Sequence, residues 1–287
     1  MKITILGGQG FIGSNLVKFF QFQGYEIQTP SKADLLDINK LINAFEKSEV
    51  VINCIGSATV GYSYTNTEEA FESNVIIVGK VLELLRQNSF QYIKFINLSS
   101  AAVYGNPQNL PVKESDETKP LSPYGYHKLM SELLLKEYHH CFSLKTLSLR
   151  IFSAYGIGQK KLLLWDLHQK IRNSNGKICL FGTGNETRDF IHVEDIAQQI
   201  LLAISNASFK GEAVNVGNGV GVKISEIANL YKMYYPQKFE YDFIGEIKLG
   251  DPLNWCADIA LMRNWDYQNS VGMEQGIENY IKWAVFQ

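Results

Sequence analysis

The 287-residue chain has only four cysteines, Cys54, Cys141, Cys179 and Cys256. They are scattered and form no C-x-x-C pair, which argues against a zinc site or a disulfide framework, so no metal is expected. Cys54 and Cys179 sit in apolar runs and read as small core residues. Unpaired cysteines suit a reducing, cytoplasmic setting. An excess of one charge is also missing: 27 Lys and Arg against 29 Asp and Glu leave a net charge of −2. Nucleic acid and anionic membranes call for clustered basic residues, so neither is an expected partner. No run approaches the ~18 apolar residues that cross a bilayer. The first strand begins at Lys2, leaving no room ahead of it for a signal peptide. No internal repeat or low-complexity segment stands out.

One further absence is more pointed. The stretch GYEIQTPSKADLLD, residues 24–37, follows a glycine-rich loop, and its strand runs out in Pro30, Ser31 and Lys32. No carboxylate stands at that tip.

What is present is enough apolar sequence, 46% of residues, for a sizeable core in one large α/β domain with a smaller second lobe. KITILG (2–7) is a short apolar run that leads through glycines into FIGSNLVKFFQFQG, where Ile12, Leu16, Phe19 and Phe20 share one helical face. YEIQT reads as a second strand, INKLINAFEKS as a helix and VVINCIG as a buried strand. EEAFESNVIIVGKVLELLRQ reads as one long helix and YIKFINLSS as another buried strand. A helix from Pro123 and the strand TLSLRIFSAYG follow. Continuously apolar strands alternating with helices predict a parallel sheet covered on both faces, the doubly wound Rossmann-type α/β architecture. Beyond Tyr155 the alternation loosens. The expected division is a dinucleotide-binding domain over 1–160 and 186–218, with an interleaved substrate-binding lobe over 161–185 and 219–287.

ILGGQGFIG places Gly7, Gly10 and Gly13 three apart, after a strand and at the opening of a helix. Gly7 permits the tight turn, Gly10 lets backbone N–H groups approach a pyrophosphate, and Gly13 lets the helix pack against the strand. The helix N-terminus adds partial positive charge, with Phe11 and Ile12 in its first turn. In that setting the loop reads as a dinucleotide cradle rather than a structural turn.

SPYGYHKLMSELLLKEY opens with Ser122 as a cap and Pro123 at the first helical position. Tyr124 and Lys128, four apart, share a face. A phenol with a pKa of ~10 is a poor proton shuttle at neutral pH, and a neighbouring ammonium is expected to lower it. About twenty residues earlier, NLSSAAVYG ends a buried strand with hydroxyls at the carboxyl edge of the sheet, where ligands bind in such folds.

With these residues in view, the chain resembles an extended short-chain dehydrogenase/reductase of the nucleotide-sugar epimerase/dehydratase/reductase group. The matching motifs run almost end to end: GGQGFIG, DLLD (34–37), ESNV, SSAAVYG, SPYGYHK, LRIFSAYGIGQ, TRDFIHVEDIA, NVGNG and GDPLNWCADI. The resemblance implies a catalytic set of Ser100, Tyr124 and Lys128. Ser100 would hold the reacting oxygen, Tyr124 would move the proton, and Lys128 would tune it and hold the nicotinamide ribose. It also implies that Ser99, Asn74, Asp34 and Leu35 support the cofactor, and that Ser153, Arg188 and Lys248 meet the nucleotide-sugar substrate. For Arg188 a surface salt bridge is the competing reading.

Departures from the family pattern sharpen the expectation. Dehydratases of the family carry Asp and Glu after the active hydroxyl, where this chain has Ala101 and Ala102. A methyl exchanges no proton, so 4,6-dehydration is excluded. Ser153 stands where epimerases often carry asparagine, Lys248 where arginine is frequent, and CIGS (54–57) where His-x-Ala-Ala is usual. The missing strand-end acid and short connecting segment resemble NADP-linked 4-ketoreductases of the family. The expected cofactor is therefore NADP(H), its 2′-phosphate meeting Ser31 and Lys32, with NAD(H) as the alternative and a solvated turn as the bland reading of those two residues. The leading functional expectation is reduction at C4 of a nucleotide-activated 4-keto-6-deoxyhexose, a step toward surface polysaccharide. The alternative is an NAD-dependent 4-epimerase. A non-catalytic NADP(H)-binding regulator is disfavoured because Tyr124 and Lys128 are intact. A homodimer is expected through helices over 68–87 and 123–140. Val75, Val78, Leu82 and Leu85 could supply its apolar stripe, or could pack in the core.

Overall fold

The computed structural model describes residues 1–57, 59–246 and 248–287. Among these, six strands form one sheet in the order Lys210–Val216, Lys145–Ile151, Lys94–Ser100, Val50–Asn53, Lys2–Leu6, Glu26–Gln28. Every neighbouring pair is parallel. From Lys2–Leu6 the chain first crosses outward to Glu26–Gln28 and then returns to Val50–Asn53 on the other side. That reversal opens a crevice at the carboxyl ends of the strands, where α/β sheets bind ligands.

The apolar strands are covered on both faces. Ile3, Ile5, Val50 and Ile52 pack with Leu16 and Phe20 of the Phe11–Phe22 helix. Leu6, Val51 and Phe95 point the other way, into a cluster with Phe45, Leu82 and Leu85. Val75, Val78, Leu82 and Leu85 are all buried. Val78, Leu82 and Leu85 belong to that cluster, so core packing accounts for them. The single long helix expected over 68–87 is interrupted. Thr67–Phe71 and Ile77–Gln87 are α-helical, and Glu72–Ile76 between them is a π-turn carrying Asn74. Such turns often mark functional positions.

The Pro123–Phe142 helix starts as its sequence dictates. The Ser122 hydroxyl accepts from the Gly125 amide at 3.2 Å, and proline occupies the first turn. A third apolar cluster, built around Leu167, Ile171, Tyr231, Ile277 and Tyr280, lies away from the sheet. Its ladders are two-stranded: Lys177–Leu180 with Glu240–Phe243, and Thr187–Arg188 with Val222–Lys223. Short elements such as the Val60–Thr65 and Ala260–Asn264 helices escape a periodicity reading because they offer fewer than two turns of pattern. The cysteines are free, and Cys179 is exposed on its edge strand rather than in the core, while Cys54 is half-buried. No helix among the described residues is long and apolar enough to cross a membrane.

Candidate active site

The glycine turn is built backbone against backbone. Gly7 has φ +76°, a conformation costly for any side chain, and its carbonyl accepts from the Gly10 amide at 3.0 Å. A Cβ on Gly13 would come 2.2 Å from the same Gly7 oxygen. Gly10 caps the Phe11–Phe22 helix without any side-chain hydrogen bond. The first-turn N–H groups, including those of Phe11 and Ile12, therefore remain free for an anion. The turn leaves room and free amides for a pyrophosphate.

The Lys94–Ser100 strand delivers two serines with opposite fates, because neighbouring strand residues face opposite ways. Ser100 lies on the cleft, accepts from the Ala102 amide at 3.2 Å and approaches the Tyr124 hydroxyl. Ser99 borders the cleft, but its hydroxyl donates to Glu132 at 2.6 Å. A contact from Ser99 to cofactor would therefore have to come from its backbone. The Tyr124 amide donates to the Ser63 hydroxyl at 3.1 Å, which pins the start of the helix. One turn on, the Lys128 ammonium donates to the Leu98 carbonyl at 2.8 Å and stands 5.9 Å from the Tyr124 ring centre. Ser100, Tyr124 and Lys128 are 8%, 9% and 6% exposed, so water screens none of them well.

That burial works against the expected effect of the ammonium on the phenol. Burial raises the pKa of Tyr124, and the approach of Ser100 only partly offsets it. Burial also presses Lys128 down to about 8, against the opposing influence of Cys54 and Glu132. A lysine whose own charge is weakened and tied to a carbonyl does not bring the phenol down by itself. Cys54, beside Lys128, is pushed up to about 12 by the same burial. Asn74 is 1% exposed; its amide donates to the Ala70 carbonyl at 2.8 Å, and its oxygen has no partner among the described residues. A Cβ on Gly56 would lie 2.5 Å from that oxygen and 3.0 Å from the Lys128 nitrogen, so a side chain at position 56 would crowd both groups.

Ser153, Arg188 and Lys248 line the same cleft of about 570 Å³ as the three catalytic candidates and Ile12. Arg188 is not a surface ion pair. Its guanidinium donates to the carbonyls of Thr187, Leu253 and Pro252 at 3.0, 3.1 and 2.7 Å and lies 5.6 Å from the Trp255 ring centre. Burial lowers its pKa, and Asp251 and Glu186 oppose that. The Lys248 ammonium sits 4.9 Å from the ring centre of exposed Phe181. Asp251 and Trp255 also line this wall and had been assigned no role, although they belong to the quoted motif GDPLNWCADI.

The adenosine end departs most from expectation. Ser31, Lys32, Asp34 and Leu35 do not line the cleft. The Ser31 amide and hydroxyl both donate to one Asp34 oxygen, at 2.9 and 2.7 Å, and Lys40 meets the other at 2.9 Å. Lys40 and then Ser31 hold the Asp34 pKa down at about 2. A hydroxyl committed to a carboxylate, with that negative charge beside it, is poorly placed for a 2′-phosphate. Lys32 is exposed, and Leu35 packs on the core. No group of three His, Cys, Asp or Glu able to hold a metal occurs among the described residues.

The description of the family whose model matches residues 3–217 is the NAD dependent epimerase/dehydratase family. A UDP-glucose 4-epimerase of Halalkalibacterium halodurans is 28% identical over 293 residues, covering 90% of this chain and 87% of its own. A UDP-glucuronic acid 4-epimerase from Bacillus cereus, solved with UDP-glucuronic acid and NAD, has a TM-score of 0.86 at 24% identity, covering 100% of this chain and 99% of its own. A UDP-glucose 4-epimerase from Thermus thermophilus, solved with NAD, has a TM-score of 0.86 at 23% identity, covering 99% of each chain. These two likenesses establish the shared fold.

Proposed function

Because the chain belongs to the NAD dependent epimerase/dehydratase family, we propose that it inverts C4 of a nucleotide-activated hexose using a retained NAD⁺. Relatives named as 4-epimerases support this over one-way reduction of a 4-keto-6-deoxyhexose. The preference for NADP(H) lacks support, since the family is named for NAD and both solved neighbours hold NAD. The observation that carries the reading is the paired approach of Ser100 and Tyr124 in the cleft that also holds Arg188 and Lys248.

Arg188 and Lys248 bind the diphosphate and set the sugar's depth. Ser100 hydrogen-bonds the C4 oxygen. Tyr124 receives the C4 hydroxyl proton and later returns it. Bound NAD⁺ would supply the acceptor for the C4 hydride and a positive charge that favours the phenolate. Lys128 holds the nicotinamide ribose, steadied by its hydrogen bond to the Leu98 carbonyl. Phe152, Leu163 and Trp255 line the cleft as apolar walls and limit water at the 4-keto sugar. Ala101 and Ala102 offer no proton-transfer group, so water is not eliminated.

A second reading keeps one-way reduction, on the observation that the sheet ends at the short Glu26–Gln28 strand. The same proposal includes the domain division given above and a cytoplasmic setting. It also includes a homodimer through the Pro123–Phe142 helix, whose Tyr126, Met130 and Leu133 are exposed. The test is to purify the protein, release and identify its dinucleotide, and incubate it with UDP-hexoses without added cofactor. Retained NAD⁺ and C4 inversion are the expected result. Stoichiometric NADPH consumption with a 4-keto sugar, and no inversion, overturns it.

A further inference from the structure

Glu132 takes no part in the chemistry above, yet it is 1% exposed. It stands one helical turn beyond Lys128. Its Oε1 accepts from the Ser99 hydroxyl at 2.6 Å, and its two oxygens accept from the Arg150 guanidinium at 2.8 to 3.3 Å. Arg150 pairs with Ser99 across the neighbouring strands and donates onward to the Tyr104 hydroxyl at 2.8 Å. A single carboxylate thus ties the strand end bearing Ser100 to the helix bearing Tyr124 and Lys128. Stability is a weak explanation for such a pair, because apolar packing often serves as well as a buried ion pair.

We propose that Glu132 is a positioning residue that fixes the separation between Ser100 and Tyr124, acting through Ser99 on one side and its own helix on the other. The inference rests on Ser100 and Tyr124 being the proton-transfer pair. Burial presses the Lys128 pKa down, and the Glu132 charge one turn away works against that, so the same carboxylate also favours the ammonium.

The decisive variant is Ser99→Ala, which removes one hydrogen bond and leaves the Glu132–Arg150 pair intact. Ser100 favours the phenolate of Tyr124, so in Ser99→Ala that phenol titrates at higher pH than in the wild type. The shift is read by ultraviolet absorbance against the Tyr124→Phe version of each protein. In the same variant kcat falls about tenfold with KM held, as loss of alignment predicts, and Ser99→Thr restores both readouts. Glu132→Gln combined with Arg150→Gln, which removes both charges of the buried pair together, moves the alkaline limb of the kcat profile to lower pH. An unmoved phenol titration in Ser99→Ala overturns the proposal, whatever happens to kcat and whether or not the double variant folds. That titration needs no substrate, so a protein that inverts no hexose counts against the epimerase reading while Glu132 is still judged.

Discussion

On the sheet wall of the cleft, Ser100, Tyr124 and Lys128 are each less than a tenth exposed, and each is fixed by a backbone or buried partner. Elsewhere on the cleft, Arg188 is held by the carbonyls of Thr187, Leu253 and Pro252, and Lys248 rests on an exposed phenylalanine. The first wall is carried by an edge of the six-stranded parallel sheet and the helix packed beside it, the second by a two-stranded ladder at Arg188 and a loop at Lys248. Positions anchored in a large sheet hold the sub-ångström alignment that proton transfer needs. Positions on small ladders and loops can change with little cost to the fold, which suits substrate selection. On the proposed function, reaction rate is expected to depend on the first wall and substrate affinity on the second.

The largest expected effect tests the sheet wall. Tyr124→Phe should lower kcat by about 10³-fold with KM and retained cofactor nearly unchanged. A comparable loss appearing in KM would break the division between walls. Lys128→Met should cost about 10²-fold in kcat. In the wild type, Lys128 has its pKa depressed to about 8, so activity should fall as pH rises through that value and the ammonium is lost. The sign for stability is opposite. The unfolded chain keeps the lysine proton up to its ordinary pKa near 10.5, so between about 8 and 10.5 it binds more protons than the folded one. Stability should therefore rise with pH across that window, and urea midpoints of Lys128→Met should lack the rise.

The lobe wall should answer in KM. Arg188→Lys replaces a planar fork that meets three carbonyls with a point charge, and should raise KM for the nucleotide sugar about tenfold while kcat changes little. Steady-state kinetics decide this, and an equal loss in kcat would place Arg188 with the sheet wall. The smallest effect is expected of Lys248→Ala, about threefold in KM and shrinking in high salt, because an exposed charge is screened. A salt-independent loss would mean that Lys248 is desolvated when substrate binds.

Much of the sheet wall was legible in the sequence, since its signals are local. Three-residue glycine spacing, the Ser122–Pro123 cap and the four-residue step from Tyr124 to Lys128 each report on a single turn of chain. The choice of Ser100 over Ser99 came from the family motif, and strand parity agrees with it. Less was legible where partners lie far apart. Ser99 is claimed by a glutamate 33 residues away, and Arg188 by a carbonyl 64 residues on. Ser31 and Asp34 are close in sequence, yet the reading sent the serine to a phosphate because nothing in the letters says that the carboxylate folds back onto it.

By itself the sequence determined the doubly wound sheet, the glycine turn after its first strand and the residue types that meet at Ser100, Tyr124 and Lys128. Apolar runs, turn residues and helix caps act through short-range sterics and hydrogen bonds that neighbours in the chain dictate. Only the tertiary structure decided the protonation behaviour of that set. The directions of the Tyr124 and Lys128 shifts depend on how much water and which charges surround them. That is fixed by burial against strands and helices distant in sequence, and desolvation there outweighs the opposing influences of Ser100 on Tyr124 and of Cys54 and Glu132 on Lys128.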